Sequence, residues 1–301
     1  MWTMAVDEVS AEVIGALDAA GVGCLLLKGP TIAEWLYEDA SERPYVDTDV
    51  LVDPDRLAAA HATLEAAGFR REWGPLPHPG MESPPSYPWH RGQFAVDLHE
   101  TLPGAAADRR DVWAVLAEGS TEQRVGGVRA RAPGRPALLV TIVLHAAHHG
   151  PRVERPRRDL ELALDRAGDE DWAAAASVAE RIGAAAAFAT GLGIVPAGRA
   201  LLARVGLDAP SSELRDVPLA AGIERLTLAR GVRAKALLLR DELFPSREFM
   251  RWWTPMARGS WPGLVPAYVW RWLHLARRAP AALRASRRAR AQPAPRAKGL
   301  D

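Results

Sequence analysis

Two short apolar runs, Cys24–Leu27 and Val50–Val52, each meet charged residues at one end. Both are too short for a helix and read as buried strands. Lys28-Gly29 closes the first run and Asp47-Thr48-Asp49 opens the second. Side chains alternate along a strand, so Asp47 and Asp49 share a face. Two like charges that close repel each other and require a cation. Magnesium is the natural one, because it takes one or two carboxylates together with phosphate oxygens. A strand–Gly–helix turn aims backbone N–H groups at an anion. Lys28 can meet a phosphate there as a point charge. The chain has only three lysines, at 28, 235 and 298, among 38 Lys and Arg, so a Lys held between a buried strand and a Gly is not filler.

The rest of the first half alternates strands and helices. Helices are expected over Val6–Ala19, Pro30–Tyr37, Asp53–Ala67 and Asp111–Glu118, from apolar spacing and from Gly and Pro at their ends. Strands are expected over Phe69–Trp73 and Gln93–His99, and a hairpin over Thr121–Ala132. Six prolines between residues 74 and 89 predict a long loop or lid. From Pro136 the pattern turns to helices only: 136–149, 157–167, 170–190, 197–205, 219–243, 246–257 and 264–290. Strands followed by helices predict an α+β chain with a boundary near 133–136.

Length and composition allow this. The 301 residues are 48% hydrophobic, enough for two cores. Cys24 is the one cysteine, which excludes an internal disulfide and a Cys-based zinc site. Asp7, Glu8 and Glu12 stand where a signal peptide would be basic and then apolar. A cytoplasmic location is the expectation. Residues 277–301 carry eight Lys or Arg and one acid, which leaves 30 basic against 36 acidic residues in the rest. An acidic body with a basic end admits an anionic partner, a nucleic acid or a membrane surface, though a solvated end is preferred. Trp252, Trp253, Trp261, Trp270 and Trp272 precede that end, with packing as the preferred reading.

Asp97, in Phe94-Ala-Val-Asp97-Leu-His99, supplies a third carboxylate for a two-metal arrangement. His99 shares its face and either orients Asp97, the preferred role, or takes a proton itself. Arg43, before Asp47, binds phosphate or is a solvated loop residue. His145 and His149 share a helical face with His148 nearby. Ala146 stands where a zinc protease would need Glu, so a core or interdomain role is preferred over the mouth of an acceptor site near Arg158 and Asp159.

Taken in order, Leu26-Leu-Lys28-Gly29, Trp35-Leu-Tyr37, Arg43-Pro44, Val46-Asp47-Thr48-Asp49-Val50-Leu51-Val52, Ala67-Gly68-Phe69, Val96-Asp97-Leu98-His99, the His145/His148/His149 helix, Arg158-Asp159-Leu160 and Leu243-Phe244-Pro245-Ser246 form a pattern. It resembles the uncharacterised, or "type 5", nucleotidyltransferases of the polymerase-β-like superfamily, to about residue 275. The resemblance implies a mixed-sheet catalytic domain over 1–135, a helical domain over 136–275 and a basic tail over 276–301. It implies Asp47, Asp49 and Asp97 as catalytic metal ligands for Mg²⁺ or Mn²⁺, with Lys28, Gly29 and Arg43 at the nucleotide. His99, His149 and Arg158 fall on the orienting or acceptor side. The implied reaction moves a nucleoside monophosphate from an NTP, such as ATP, to a hydroxyl of a small molecule, peptide or protein. The alternative is a non-catalytic nucleotide- or partner-binding relative, of a toxin–antitoxin-like or biosynthetic accessory kind. The wider superfamily has Gly-Ser where this chain has Lys28-Gly29, and Glu100 stands where an aromatic residue is expected.

Overall fold

The structure is a computed structural model of the chain. It describes residues 2–71, 86–207 and 263–291, with isolated positions between 236 and 257. These fall into two compact units, one holding 2–71 with 86–207 and the other the described residues from 236 on.

In the first unit the chain runs α1 (Trp2–Ala19), β1 (Cys24–Leu26), α2 (Pro30–Leu36), β2 (Asp47–Val52), α3 (Leu57–Ala66), β3 (Arg70–Arg71), β4 (Ser86–Arg91) and β5 (Phe94–His99). It continues with α4 (Arg109–Ala117), the β6–β7 hairpin (Thr121–Val125, Val128–Ala132) and five helices. These are α5 (Arg135–His149), α6 (Glu154–Arg166), α7 (Asp169–Arg181), α8 (Ala185–Leu192) and α9 (Pro196–Arg204). The five-stranded sheet has the order β1-β2-β5-β4-β3. Only β2 and β5 are parallel; the other neighbours are antiparallel.

Alternation along the strands divides the core in two. Cys24, Leu26, Val50, Val52, Val96 and Leu98 pack with Val13 and Leu17 of α1 and Ala60 and Leu64 of α3. Leu25, Leu27 and Leu51 face the other way and join the core of α5. Burial of each such leucine contributes roughly 1.5–3 kcal/mol. Asp47 and Asp49 are in phase with Leu51, so the same alternation turns them toward the α5 side. On the opposite face, the hydroxyls of Thr48 and Ser10 lie 2.8 Å apart in a hydrogen bond under α1. The mixed sheet followed by helices is the expected α+β arrangement. The change of element type near residues 133–136 is not a break in packing, because α5 shares one core with β1 and β2.

Several local expectations differ. Residues 86–89, placed in the proline-rich loop, belong to β4, and Pro88 sits opposite Asp97. Proline fits a strand where its missing N–H faces no neighbour, and Pro88 lies just past the last described β3 pair. Residues 74–85 of the expected lid lie outside the described residues. The helix expected over 170–190 is two, broken at Gly183, whose φ is +68°. Asp53-Pro54 opens a 3-10 turn over Pro54–Arg56 before α3 begins.

In the second unit α10 (Leu264–Ala291) continues as helix well into the expected basic tail. Met250, Ala257, Leu264 and Ala267 form a small core beside Tyr268. The Trp272 indole donates to the Leu243 carbonyl at 2.7 Å, while Trp270 is exposed rather than packed. Trp252, Trp253 and Trp261, and most of the helices expected over 219–257, lie outside the described residues. Among the described residues no helix is long and apolar enough to cross a membrane.

Candidate active site

Strand register builds the site. In the antiparallel pair, Leu26 stands opposite Val50. The Leu27 N–H then donates to the Asp49 carbonyl at 2.9 Å, which carries the ladder one residue past β1. Lys28 therefore leaves the strand beside Asp49, and its Nζ lies 2.7 Å from Asp49 Oδ1. In the parallel pair, Asp49 stands directly opposite Asp97 and Leu51 opposite His99. His99 Nε2 is 3.0 Å from the same Asp49 Oδ1. Ligand atoms of Asp49, Asp97 and His99 lie within 4.8 Å of one another, a group able to hold a metal ion. The expected His99 contact to Asp97 is thus replaced by one to Asp49, because side chains of neighbouring strands meet across the ladder.

Charge is out of balance here. Burial pushes the Asp49 carboxyl up, but the Lys28 ammonium and His99 outweigh it and hold the group below the usual carboxylate range. Asp47 is raised to about 6, by burial and then by Asp49 and Asp97 against the pull of Lys28. Asp97 is also raised, by burial and by Asp49. One lysine does not neutralise three clustered carboxylates. The buried His99 Nδ1 has no hydrogen-bond partner among the described residues. A hard divalent cation with oxygen ligands fits this donor set.

Gly29 caps α2 with φ +70°, and a Cβ there would lie 3.4 Å from the Tyr45 ring. Both the backbone and the ring beneath it favour glycine. The Tyr45 hydroxyl is anchored 2.5 Å from Asp7 Oδ1. Arg43 has a partner that was not foreseen. Its Nε and Nη2 donate to the two Asp159 oxygens at 2.8 and 2.7 Å, and both side chains are almost fully buried. Its Nη1 lies 3.4 Å from the Gly29 carbonyl, and Tyr37 donates to Asp159 at 2.8 Å. The guanidinium expected at a phosphate instead ties α6 to the Lys28-Gly29 turn.

A cavity of about 340 Å³ opens beside these residues. Its lining includes Lys28, Gly29, Asp47 and Asp49 together with His145, His149 and Arg155. The His145 and His149 rings meet edge to face with centroids 4.5 Å apart. Burial and then Lys28 depress His145, and burial, His148 and Lys28 depress His149, so both are neutral near pH 7. The preferred core role for this pair therefore gives way to a place at the site. Arg158, expected here, is exposed and outside the lining, while Arg155 lies within it. The sequence analysis missed Arg155 and Tyr45. Pro156, at home in a first helical turn, was the available sign that Arg155 lies in the first turn of α6. Glu100 is buried, paired with Arg109, and accepts from Tyr87 at 3.0 Å, so it supports β4 and β5 from within.

The mixed sheet thus presents Lys28, Asp47 and Asp49 to one cavity, with Asp97 opposite Asp49 on the neighbouring strand. The family described as "uncharacterised nucleotidyltransferase" matches residues 3–197, and the chain belongs to it. It is therefore an enzyme of the nucleotidyltransferase class. No curated protein matches. Among solved structures, the antibiotic-resistance factor ANT(2'')-Ia in solution is 18% identical with a TM-score of 0.43, over 60% of this chain and 94% of that one. The crystal structure of ANT(2'')-Ia with adenylyl-2''-tobramycin is 17% identical with a TM-score of 0.42, over 58% and 97%. An antigenic nucleotidyltransferase-like protein from Paracoccidioides brasiliensis is 15% identical with a TM-score of 0.37, over 69% and 94%.

Proposed function

We propose that this protein transfers a nucleoside monophosphate from an NTP, such as ATP, to a hydroxyl of a small molecule, peptide or protein. The observation that carries this is the register of β2 against β5, which sets Asp49 opposite Asp97 with Lys28 on Asp49. Asp47, Asp49 and Asp97 would hold Mg²⁺ or Mn²⁺, whose chemistry is to neutralise the phosphates and polarise the α-phosphate. Lys28 and the Gly29 turn meet the triphosphate. The acceptor oxygen attacks the α-phosphorus in line. A new O–P bond forms, the bond to the bridging oxygen breaks, and its electron pair leaves with pyrophosphate. The hydroxyl proton passes to the Asp97 carboxylate. His99 holds Asp49 in place through Nε2. Most of the rate enhancement comes from positioning and fixed charge.

The test is label transfer. The protein is incubated with each α-labelled NTP, Mg²⁺ or Mn²⁺ and a cell extract, beside Asp47→Asn and Asp49→Asn. Label transferred by the natural chain and lost in both variants is the expected result. Transfer that survives both substitutions overturns the metal-ligand assignment.

A further inference from the structure

Three residues that line the cavity, His145, His149 and Arg155, have no part in the reaction above. Three cations line the cavity: Lys28, Arg43 and Arg155. Lys28 is engaged by Asp49 at 2.7 Å. Arg43 is engaged on two sides by Asp159, at 2.8 and 2.7 Å, in almost complete burial. Arg155 makes no ion pair among the described residues and is exposed. It sits at the first turn of α6, one residue before Pro156, and lines the cavity together with His145 and His149. Asp97 does not line it.

These facts sort the ligand by charge. A triphosphate brings more negative charge than one divalent ion and one already paired lysine can balance. An uncommitted guanidinium with two neutral imidazoles suits phosphate oxygens, because Arg donates in a planar fork and each imidazole offers one N–H. Neutral rings also avoid the repulsion that two further cations beside Lys28 would create.

We infer that Arg155, with His145 and His149, forms a polyphosphate subsite that holds the β- and γ-phosphates and so selects triphosphate donors over monophosphates. This rests on the transfer reading for its place in the reaction, where the held group is the pyrophosphate that leaves. Arg155 is then a specificity-determining residue, and the two histidines position the same oxygens. The acceptor is left to approach from the Asp97 side.

The experiment is calorimetric titration of the full chain with ATP, AMP and inorganic tripolyphosphate, compared with Arg155→Gln, Arg155→Lys and His149→Gln. Arg155 is exposed, so its substitution leaves the fold intact, checked by an unchanged Tm. The natural chain is expected to bind tripolyphosphate and to prefer ATP to AMP by about tenfold or more, the weight of a charge-assisted hydrogen bond. Arg155→Gln removes that preference while AMP affinity stays put, Arg155→Lys restores part of it, and His149→Gln loses less than Arg155→Gln. The inference is overturned if the natural chain does not bind tripolyphosphate, or if Arg155→Gln weakens ATP and AMP equally or neither. The two ideas separate cleanly. Tripolyphosphate binding that depends on Arg155, with no NTP turned over, keeps the subsite and sinks the transfer reading. Transfer with an unaltered kcat/KM for NTP in Arg155→Gln sinks the subsite and keeps the transfer reading.

Discussion

Two ion pairs of equal length flank the same cavity, and they are built for opposite purposes. Arg43 and Asp159 meet at 2.7 Å with every strong partner supplied: two guanidinium bonds, a tyrosine hydroxyl and the Gly29 carbonyl. Lys28 and Asp49 also meet at 2.7 Å, but Asp47 and Asp97 crowd the same lysine with charge it cannot balance. A satisfied buried pair is a structural joint. A pair left with surplus like charge is a place for a further cation, and burial that raises carboxylate pKa values in a cleft is a mark of function. The difference lies in the company each pair keeps, not in its distance.

The sharpest way to break the comparison is to remove one partner of the satisfied pair. Asp159→Ala leaves Arg43 buried and unpaired, and should cost about 3–5 kcal/mol of stability in chemical denaturation. A loss below 1 kcal/mol would mean that Arg43 finds water or another partner. On the other side, Asp49→Asn should cut label transfer on the order of 10²–10³-fold, since it removes fixed charge at the reacting centre. Asp47→Asn should also lose transfer, yet in metal-free buffer its Tm should hold or rise, because it relieves like-charge repulsion. A clear fall in that Tm would mean the carboxylates are not in surplus.

A smaller effect tests how much of the joint is hydrogen bonding. Tyr37→Phe removes one bond to a charged acceptor and should cost about 1.5–3 kcal/mol at most, less for its partial exposure. Activity should fall little if the joint only steadies the Lys28-Gly29 turn.

The smallest test uses a half-buried titratable group. His61 lies against the Tyr87 and Trp89 rings, and its Nδ1 is buried with no hydrogen bond among the described residues. Burial, and then Arg71, depress it to about 4 from an ordinary 6.5. Above pH 6.5 neither state binds the proton, so stability is unaffected. Between 6.5 and 4 the unfolded chain binds it and the folded chain does not, so stability falls as pH falls through that window. His61→Phe should flatten that part of the Tm profile. An identical slope in the variant would assign the acid sensitivity to other groups.

The parts of the site that were readable share one property: they depend on neighbours in sequence. Asp47 and Asp49 share a face because strands alternate, and Gly29 takes a positive φ because a strand turns straight into α2 there. The missed parts depend on distant partners. Pro88 hid β4, since a proline argues against a strand until the edge it faces is known. Arg43 looked available for phosphate because its partner lies 116 residues away. Arg155 was overlooked in favour of Arg158, since helical phase at the first turn of α6 decides which of them faces the cavity.

What the sequence by itself determined is the set of parts: short buried strands, carboxylates two apart, a lysine and a glycine at a strand end, and a helical second half. These follow from alternation and from apolar runs, which are local. Only the tertiary structure decided that Asp49 rather than Asp47 takes Lys28 and His99, that Asp97 stands across from it, and that Arg43 belongs to Asp159. Strand register and ion-pair choice are set by burying whole faces against helices far along the chain. That free energy is shared across the core and is written in no single stretch of residues.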